Sequence, residues 1–300
     1  KIKNDNMPSF KMVLEKVNDA YKENRTKIID QVQLIIRSLE LKKSSVIKQD
    51  LELILDQVLN NLDEVKGGYK GAPKFPLFNI FDTFLYFYNK TKKNKFLKPV
   101  ELVLKQLCSK GIYDHVEGGI SRYAVDENWL VPHFEKMLYD NSQFVSLLSK
   151  YLKINSDNYF KDKTIQTISY INKDFATSDF NLIGSAYDAD SDGEEGKYHT
   201  FQFEEIKDIE NIGKYFDINH KGNWEGKIIL KEIEKPDTRI ISQLLSLRKK
   251  KRKPFFDNKI QLDLNCLWVS SLINAHQVIP DEGYLNKAEE LFMNLSLIHI

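Results

Sequence analysis

Apolar residues return at intervals of three and four along most of the chain, which is the spacing of one face of an α-helix. Short connections separate consecutive segments of this kind. The pattern predicts helices at 9–24, 26–41, 47–61, 77–91, 96–110, 133–152, 158–175, 237–249, 261–279 and 282–296. Helices joined by short connections pack as antiparallel neighbours, so the sequence predicts an all-α array of helical hairpins.

Long connections interrupt this pattern in three places. Residues 63–76 and 111–132 are rich in Gly, Pro, aromatic and charged residues, which is typical of loops. Ordered loops longer than a simple helix connector often carry function. The third region, 184–230, contains the alternating run KYHTFQF, so we expect a small β excursion near 196–230 on the helical body.

Charge is balanced over the 300 residues, with 44 Lys and Arg against 43 Asp and Glu and a formal net charge of +1. Such a balance gives no field that attracts a polyanion, so we expect no nucleic-acid partner and no membrane partner. The first residues, KIKNDNMPSF, lack the apolar core of a signal peptide, and we therefore expect a cytoplasmic protein. The oligomeric state is left open.

Cys108 and Cys266 are too few for a disulfide framework or a cysteine zinc site, and we expect both to be buried as small apolar residues. The basic run RKKKRK at 248–253 is predicted to be the solvated end of a helix that begins near Asp237.

No cofactor motif is found. The glycine-rich segment at 67–76 lacks the GxxxxGK[ST] pattern of a phosphate loop, and neither GxSxG nor HExxH occurs in the chain. We therefore expect no cofactor, and we disfavour serine-hydrolase and zinc-peptidase mechanisms.

Polar side chains are densest between residues 113 and 140, around a Gly-Gly loop and the helix predicted from 133. On that helix His133 and Asp140 would lie along one stripe, two turns apart. A histidine and a carboxylate are the groups that transfer protons at neutral pH, so the cluster is a candidate site for a polar substrate. A half-buried surface histidine at a helix start is the alternative for His133.

Five carboxylates lie within eight residues of the segment 188–195. They are Asp188, Asp190, Asp192, Glu194 and Glu195. With Gly193 they spell the first half of a calcium loop, but His199 stands where that loop needs a bidentate Glu. We predict an acidic turn or a carboxylate-lined substrate loop, with no assigned metal site, although a divalent cation stays an alternative. Like-charge repulsion would raise the pKa of at least one of these groups, as a general acid needs.

Four segments carry a longer and more specific pattern. They are GGYKGAPKFP (67–76), GIYDHVEGGISRYAVDENWLVPHFEKMLYDN (111–141), SAYDADSDGEEGKY (185–198) and GNWEGKIIL (222–230). In this order they resemble the spermatogenesis-associated protein 20 family of thioredoxin-domain-containing proteins. The resemblance implies a helical toroid of the (α/α)6 kind, similar to N-acylglucosamine 2-epimerases, mannose isomerases and six-hairpin glycosidases. It leads us to expect one toroid domain over 1–300, incomplete and without the family's thioredoxin-like domain.

The resemblance also implies a cleft that binds a sugar, in an isomerase, an epimerase or a glycosidase-like enzyme. The catalytic candidates are His133, His115, Asp188, Asp190 and Glu194. The substrate-binding candidates are Lys74, Asp114, Arg122, Tyr123, Trp129, Glu135, Tyr139, Asp140 and Glu195. The alternative is a non-catalytic toroid that binds a peptide, a glycan or a partner protein and serves a thioredoxin-like domain. The segment 257–268 keeps Asp257, Lys259 and Asn265 of the family pattern but lacks its Thr, Ser, Trp and Gly.

Overall fold

The structure, a computed structural model, describes residues 8–39, 50–178, 180–280 and 283–297 of the chain. It divides into two compact units, residues 1–54 and 55–300. The first unit contains the helices α1 (Phe10–Glu23) and α2 (Arg25–Leu39). Ser9 caps α1, because its hydroxyl accepts a hydrogen bond from the Met12 amide at 3.3 Å.

The other helices run in chain order, and the first of them begins at the end of the first unit. They are α3 (Leu51–Asn60), α4 (Phe78–Thr91), α5 (Asn94–Ser109), α6 (Leu138–Leu152), α7 (Asn158–Asp174), α8 (Phe203–Ile206), α9 (Ile212–Tyr215), α10 (Thr238–Arg248), α11 (Leu262–His276) and α12 (Tyr284–Leu297). The long helices confirm the predicted ones to within a few residues, apart from the start of α6. The predicted helix residues 40–41, 47–49 and 282 lie outside the described residues.

In the described part of the second unit, three helical hairpins form an array with an inner and an outer helix each. The helix α6 packs against both α4 and α11, and each of these three helices packs against its successor, α5, α7 or α12. We call α4, α6 and α11 the inner helices. Phe144 and Leu148 of α6 belong to the core shared with α4 and α5, while Leu138 and Val145 belong to the core shared with α7, α11 and α12. Because α6 is buried on two sides, it anchors the whole array.

The connectors that lead into the inner helices lie at one end of the array, because the hairpins are antiparallel. They cover residues 61–77, 110–137 and 175–261. They contain the strands β1 (Tyr123–Ala124), β2 (Pro132–His133), β3 (Lys136–Met137), β4 (Ala186–Tyr187), β5 (Asp190–Ser191), β6 (Glu194–Glu195) and β7 (Phe256–Asp257). Antiparallel pairing joins β1 to β2, β3 to β4, β4 to β7 and β5 to β6.

The helix predicted from residue 133 begins only at Leu138. Residues 132–137 are extended, because Pro132 and His133 pair with β1 and Lys136 and Met137 pair with β4. The expected helical stripe through His133 and Asp140 is therefore wrong. In the extended segment alternate side chains share a face, so His133 and Glu135 point to one side while Phe134 and Lys136 point to the other.

The strand expected at KYHTFQF is also wrong for most of its length. The amides of His199 and Thr200 both bond to the Gly196 carbonyl at 3.0 Å, which folds residues 197–200 into a turn. Only Phe201 pairs in a β-bridge, with Ile228, and α8 begins two residues later. Between residues 196 and 230 the β structure therefore consists of isolated bridges, and the two-residue strands of this connector lie outside that range.

Two further expectations fail. Cys108 is buried as predicted, but Cys266 is exposed on α11. Arg248, predicted to lie in a solvated helix end, is 2% exposed, because its guanidinium turns inward to two carboxylates. No described helix combines the length and apolar character needed to cross a membrane.

Candidate functional site

A short motif, Asp-x-Val-x-Gly-Gly, occurs in the first two connectors, at 63–68 and 114–119. In both copies the aspartate carboxylate accepts hydrogen bonds from the amides two and three residues later, and both glycines have positive φ. The aspartate amide donates to the carbonyl of the second glycine, at 2.7 Å for Asp63 and 2.9 Å for Asp114. The two connectors therefore share one loop conformation.

A buried lysine closes the first of these loops. Lys74 Nζ donates to Asp63 Oδ2 at 3.1 Å and to the Gly67 carbonyl at 2.8 Å, and it lies over the ring of Trp129. Trp129 is fully buried and donates from its indole N–H to the Lys66 carbonyl at 2.9 Å. Lys74 and Trp129 were both candidates for substrate binding, but they are buried and their polar groups bond to other parts of the protein.

Lys136 closes the second loop in the same way. Its Nζ donates to Asp114 Oδ2 at 2.7 Å and to the Gly118 carbonyl at 2.8 Å, and it lies over the ring of Tyr170. Lys74 and Lys136 are therefore equivalent residues of an internal repeat. The recurrence of Asp-x-Val-x-Gly-Gly is the sequence signal for this repeat, which was not among the features predicted from the sequence.

Asp114 is the centre of a buried ionic cluster. Arg248 Nη1 lies 2.7 Å from both Asp114 carboxylate oxygens and 3.2 Å from Glu117 Oε2. Burial raises the pKa of Asp114, but the positive charges of Arg248 and Lys136 outweigh burial and hold this pKa well below its usual range. The carboxylate is ionised and fully paired, so the structure places Asp114 among groups that fix the connectors together.

His199 belongs to the same cluster, with Nδ1 3.5 Å from Asp114 Oδ2. Burial lowers the pKa of His199 to about 4. Its Nε2 is buried and has no hydrogen-bond partner among the described residues. This histidine was not a candidate from the sequence, because its place beside Asp114 depends on tertiary contacts such as the stacking of its ring on Phe134.

His115 lies in a second buried cluster with Lys163 and Glu232. Its Nε2 faces the Lys110 carbonyl at 3.0 Å, so this nitrogen carries a hydrogen. Burial and the charge of Lys163 lower the pKa of His115, which keeps the ring neutral. Its Nδ1 lies 3.2 Å from Glu232 Oε2 and 3.3 Å from Lys163 Nζ, and Lys163 also donates to Glu232 Oε2 at 2.7 Å. The cluster borders a cleft of about 390 Å³.

The other candidates meet where β1 and β2 run beside the start of α6. We call these residues the rim cluster: Arg122, Tyr123, His133, Glu135, Tyr139, Asp140 and Glu195. His133 Nδ1 lies 2.8 Å from Glu195 Oε1, and His133 Nε2 lies 3.8 Å from Glu135 Oε2. The imidazole stacks on Tyr123 at 5.0 Å between centroids, and Tyr123 stacks on the exposed ring of Phe75 at 4.7 Å.

Arg122 connects the two sides of the rim cluster. Its Nη1 donates to Glu135 Oε2 at 3.1 Å. Although partial burial opposes it, the interactions with Tyr139 and Glu135 raise the pKa of Arg122. The guanidinium side chain is 43% exposed, so it stays open to a ligand. Burial also raises the pKa of Tyr139, which stays a neutral phenol.

Asp140 is the unusual group of the rim cluster. It is 7% exposed, and its Oδ2 is buried without a hydrogen-bond partner among the described residues. Burial raises the pKa of Asp140 to about 8, although the charge of Arg122 and the contact with Tyr139 oppose the shift. At neutral pH this carboxyl is therefore mostly protonated, and it can donate a proton.

The acidic segment folds into a hairpin, and we call residues 188–196 the acidic hairpin. Asp192 and Gly193, both with positive φ, make its turn. Asp190 pairs with Glu195, so both side chains lie on the face that reaches His133. Glu194 points to the opposite face and forms an ion pair with Lys227.

The pKa shift expected in the acidic hairpin is reversed at Glu194, where hydrogen bonding to Lys227 lowers the pKa. Asp188 is exposed, and its carboxylate accepts from the Ala189 amide at 2.7 Å. In the described parts of the chain, no three His, Cys, Asp or Glu side chains are arranged to hold a metal ion. The raised carboxyl pKa is found at Asp140 instead, in the first turn of α6.

The candidates thus separate into groups. Seven of them form the rim cluster, and Asp190 lies beside it on the acidic hairpin. Asp188 and Glu194 are on the same hairpin but have no direct contact with His133. Lys74, Asp114, Trp129 and His115 lie in buried clusters of their own.

No family model matches the chain. Human spermatogenesis-associated protein 20 is 25% identical over 342 residues, which cover 93% of this chain and 43% of that protein. The rat protein of the same name is 30% identical over 201 residues, covering 62% of this chain and 25% of the relative. The chain therefore spans less than half the length of these curated relatives. Its predicted relation to spermatogenesis-associated protein 20 is confirmed, while the absence of a thioredoxin-like domain stays a prediction.

Solved structures with a similar fold include a family 76 glycoside hydrolase from a bovine Bacteroides thetaiotaomicron strain. It superposes with a TM-score of 0.51 at 11% identity, over 81% of this chain and 42% of the hydrolase. A cellobiose 2-epimerase from Bacillus thermoamylovorans gives a TM-score of 0.49 at 13% identity, over 80% of this chain and 54% of the epimerase. At such identities the likeness to the hydrolase shows the fold alone. The predicted α/α-toroid fold of the six-hairpin glycosidase kind is thereby confirmed.

Proposed function

We propose that the rim cluster binds a sugar and transfers protons to and from it, as an isomerase, an epimerase or a glycosidase does. The observation that carries the proposal is Asp140, a buried carboxyl with an unpartnered oxygen and a pKa of about 8. Proton donors with a pKa near the working pH are the most effective general acids. In this proposal Asp140 is the acid.

His133 is the base. Glu195 Oε1 faces its Nδ1 at 2.8 Å, and because a carboxylate only accepts hydrogen bonds, Nδ1 carries the hydrogen. In the neutral ring the lone pair then lies on Nε2, and Glu195 fixes this orientation. A neutral imidazole that a carboxylate orients is a common general base.

Arg122 and Phe75 bind the substrate. The exposed part of the guanidinium offers N–H donors to a ring oxygen or hydroxyl group, while Glu135 holds its orientation. Phe75 is 42% exposed, whereas Tyr123 packs between Phe75 and His133. The free ring face for a sugar is therefore that of Phe75, and Tyr123 supports it from behind.

A sugar panel tests the proposal. The purified protein is screened by thermal shift against aldoses, ketoses, N-acylhexosamines and aryl glycosides, since binding to the native state raises the melting temperature. Each sugar that binds is then assayed for turnover. We expect Asp140→Asn and His133→Ala each to lower kcat by about 100-fold or more, the usual size of an acid or base contribution. His220→Ala, at an exposed histidine, is the matched control and should keep wild-type turnover.

Two results would count against the proposal. Identical turnover in wild type, Asp140→Asn and His133→Ala would remove the proton-transfer roles. A sugar that binds but is never converted would favour the non-catalytic binding toroid instead, and Arg122→Ala should then abolish the binding.

A further inference from the structure

A groove crosses the inner helices next to the rim cluster. It has a volume of about 310 Å³, and side chains of α4, α6 and α11 line it. The polar residues of its lining are Asn79, Asp82, Gln143, Ser146, Lys150, Ser270, Ser271 and Asn274. A volume of this size lies within the range of small-molecule sites.

Side chains of the groove lining are held in place by hydrogen bonds within the protein, and some of their oxygen atoms can still accept a hydrogen bond from a ligand. Asn274 Nδ2 donates to Ser146 Oγ at 2.9 Å, which leaves the amide oxygen of Asn274 to accept. Gln143 Nε2 donates to the Tyr139 carbonyl at 3.2 Å, so its side-chain oxygen is likewise available. The polar groups of the groove are thus ordered before any ligand binds, which lowers the entropic cost of binding.

Charge in the groove is neutralised. Lys150 Nζ lies 2.8 Å from both carboxylate oxygens of Asp82, and the two side chains are 36% and 43% exposed. A matched ion pair beside neutral amides and hydroxyl groups attracts neither an anion nor a cation strongly. This lining fits a neutral ligand that is rich in hydroxyl groups.

The groove continues the rim cluster along α6. Gln143 follows Asp140 by three positions, and Lys150 follows Gln143 by seven, so these residues lie along one face of the helix. At a rise of about 1.5 Å per residue, the face runs roughly 15 Å from Asp140 to Lys150. That length exceeds a single sugar ring and suits a short chain of rings.

The geometry points to an oligosaccharide as the ligand, with one ring at the rim cluster and the following rings in the groove of the inner helices. This inference rests on the proposed function of the rim cluster and adds the substrate class. A peptide ligand would need apolar pockets for its side chains, but Phe78 and Leu147 of the groove are buried and Leu267 is its exposed apolar residue.

Calorimetric titration with defined probes tests this inference. The probes are the mono-, di- and trisaccharides of glucose, mannose and xylose, each titrated into the purified protein. We expect at least a tenfold gain in affinity from monosaccharide to trisaccharide for the sugar that binds. Ser146→Leu fills the groove and should abolish that gain while it leaves monosaccharide affinity unchanged. Ser246→Leu makes the same change at an exposed position of α10 and should retain the gain.

The outcomes separate the two proposals. Equal affinities for mono- and trisaccharide, or a gain that survives in Ser146→Leu, overturn the oligosaccharide inference but leave the sugar site of the rim cluster intact. Failure of every saccharide to bind or react overturns both. If Ser146→Leu does not fold, Gln143→Ala provides the test, since its half-exposed side chain is not part of the core; it should lower trisaccharide affinity at least threefold, and an unchanged affinity overturns the inference.

Discussion

Asn141 and Asn265 occupy the same position in two inner helices, and each holds the backbone of one isoleucine in the connector before it. Asn141 accepts from the Ile120 amide at 2.8 Å and donates to the Ile120 carbonyl at 3.1 Å. Asn265 makes the same pair with Ile183, at 3.0 and 2.9 Å. Both asparagines are fully buried. The clamp explains why this chain keeps Asn265 in a segment that departs from the family pattern.

Replacing either asparagine by leucine should destabilise the protein. Asn141→Leu keeps the volume but leaves the buried amide and carbonyl of Ile120 without partners, and each unpaired group costs about 1–3 kcal/mol. Asn265→Leu should cost a similar amount. Urea unfolding measures both, with Asn89→Leu at an exposed position of α4 as the control. Losses below about 0.5 kcal/mol, the size of an ordinary surface substitution, would contradict the clamp.

Lys74 and Lys136, the lysines of the two repeated loops, should contribute differently to the free energy of unfolding. Lys136→Met leaves Asp114 buried, with its side chain 5% exposed and with Arg248 as its remaining partner. Because an uncompensated buried charge costs about 3–5 kcal/mol, we expect a loss of up to that size. Lys74→Met should cost less, because the Asp63 side chain is 16% exposed and water can replace the ammonium. Urea unfolding of the two variants gives the comparison.

The control for both is Lys214→Met, which removes a surface ion pair with Glu234 at 3.5 Å. Exposed pairs of this kind contribute up to about 1 kcal/mol. Equal losses of unfolding free energy in Lys136→Met and Lys214→Met would mean that the buried Lys136–Asp114 pair stabilises the protein no more than an exposed pair does.

Most helices could be predicted from the sequence because their periodicity is local. The start of α6 could not, since residues 132–137 look helical until Lys136 pairs with Tyr187, a partner in another connector. The exposure of Cys266 depends in the same way on how α11 packs, which periodicity does not give.

The residues of the rim cluster could be named from the sequence, but their chemistry could not. A resemblance to a family identifies polar positions, and it does not distinguish Arg122, which is open to solvent, from Asp114, which is buried in an ionic cluster. Likewise, five adjacent carboxylates suggested a raised pKa in the acidic hairpin. The raised pKa is instead that of Asp140, because the fold buries this side chain, and burial depends on tertiary structure.

Asp140 should make the stability of the protein depend on pH. Its pKa is about 8 in the folded protein against an ordinary value of 3.8, so folding favours the protonated carboxyl. The resulting stability is fully present below about pH 4 and is lost as the pH rises through about 8. The side chain of Asp140→Asn stays neutral at every pH, so the variant should not lose this stability as the pH rises.

The measurement is urea unfolding of wild type and Asp140→Asn between about pH 5 and pH 9. With rising pH, the free energy of unfolding of the variant should increase relative to that of wild type, by on the order of a few kcal/mol at about pH 9. A difference in unfolding free energy that stays constant with pH would mean that Asp140 ionises in the folded protein as it does in the unfolded chain.

Two glycines of the acidic hairpin allow its packing to be tested separately from its backbone strain. Gly193 and Gly196 both have positive φ, 77° and 70°. A Cβ added at Gly193 would meet nothing within 4 Å, whereas one at Gly196 would come within 2.4 Å of the Phe134 ring. Gly193→Ala should therefore lower the free energy of unfolding only by the cost of a positive φ at alanine, about 1 kcal/mol, and Gly196→Ala should lower it clearly more.

Because Glu195 precedes Gly196, the clash with Phe134 should also move the Glu195 carboxylate away from His133 and reduce turnover. Gly193→Ala should keep wild-type turnover. Urea unfolding and the sugar assay, run on both variants, check these expectations. If the two substitutions have equal effects on stability and turnover, the contact between Gly196 and Phe134 does not position the acidic hairpin over His133.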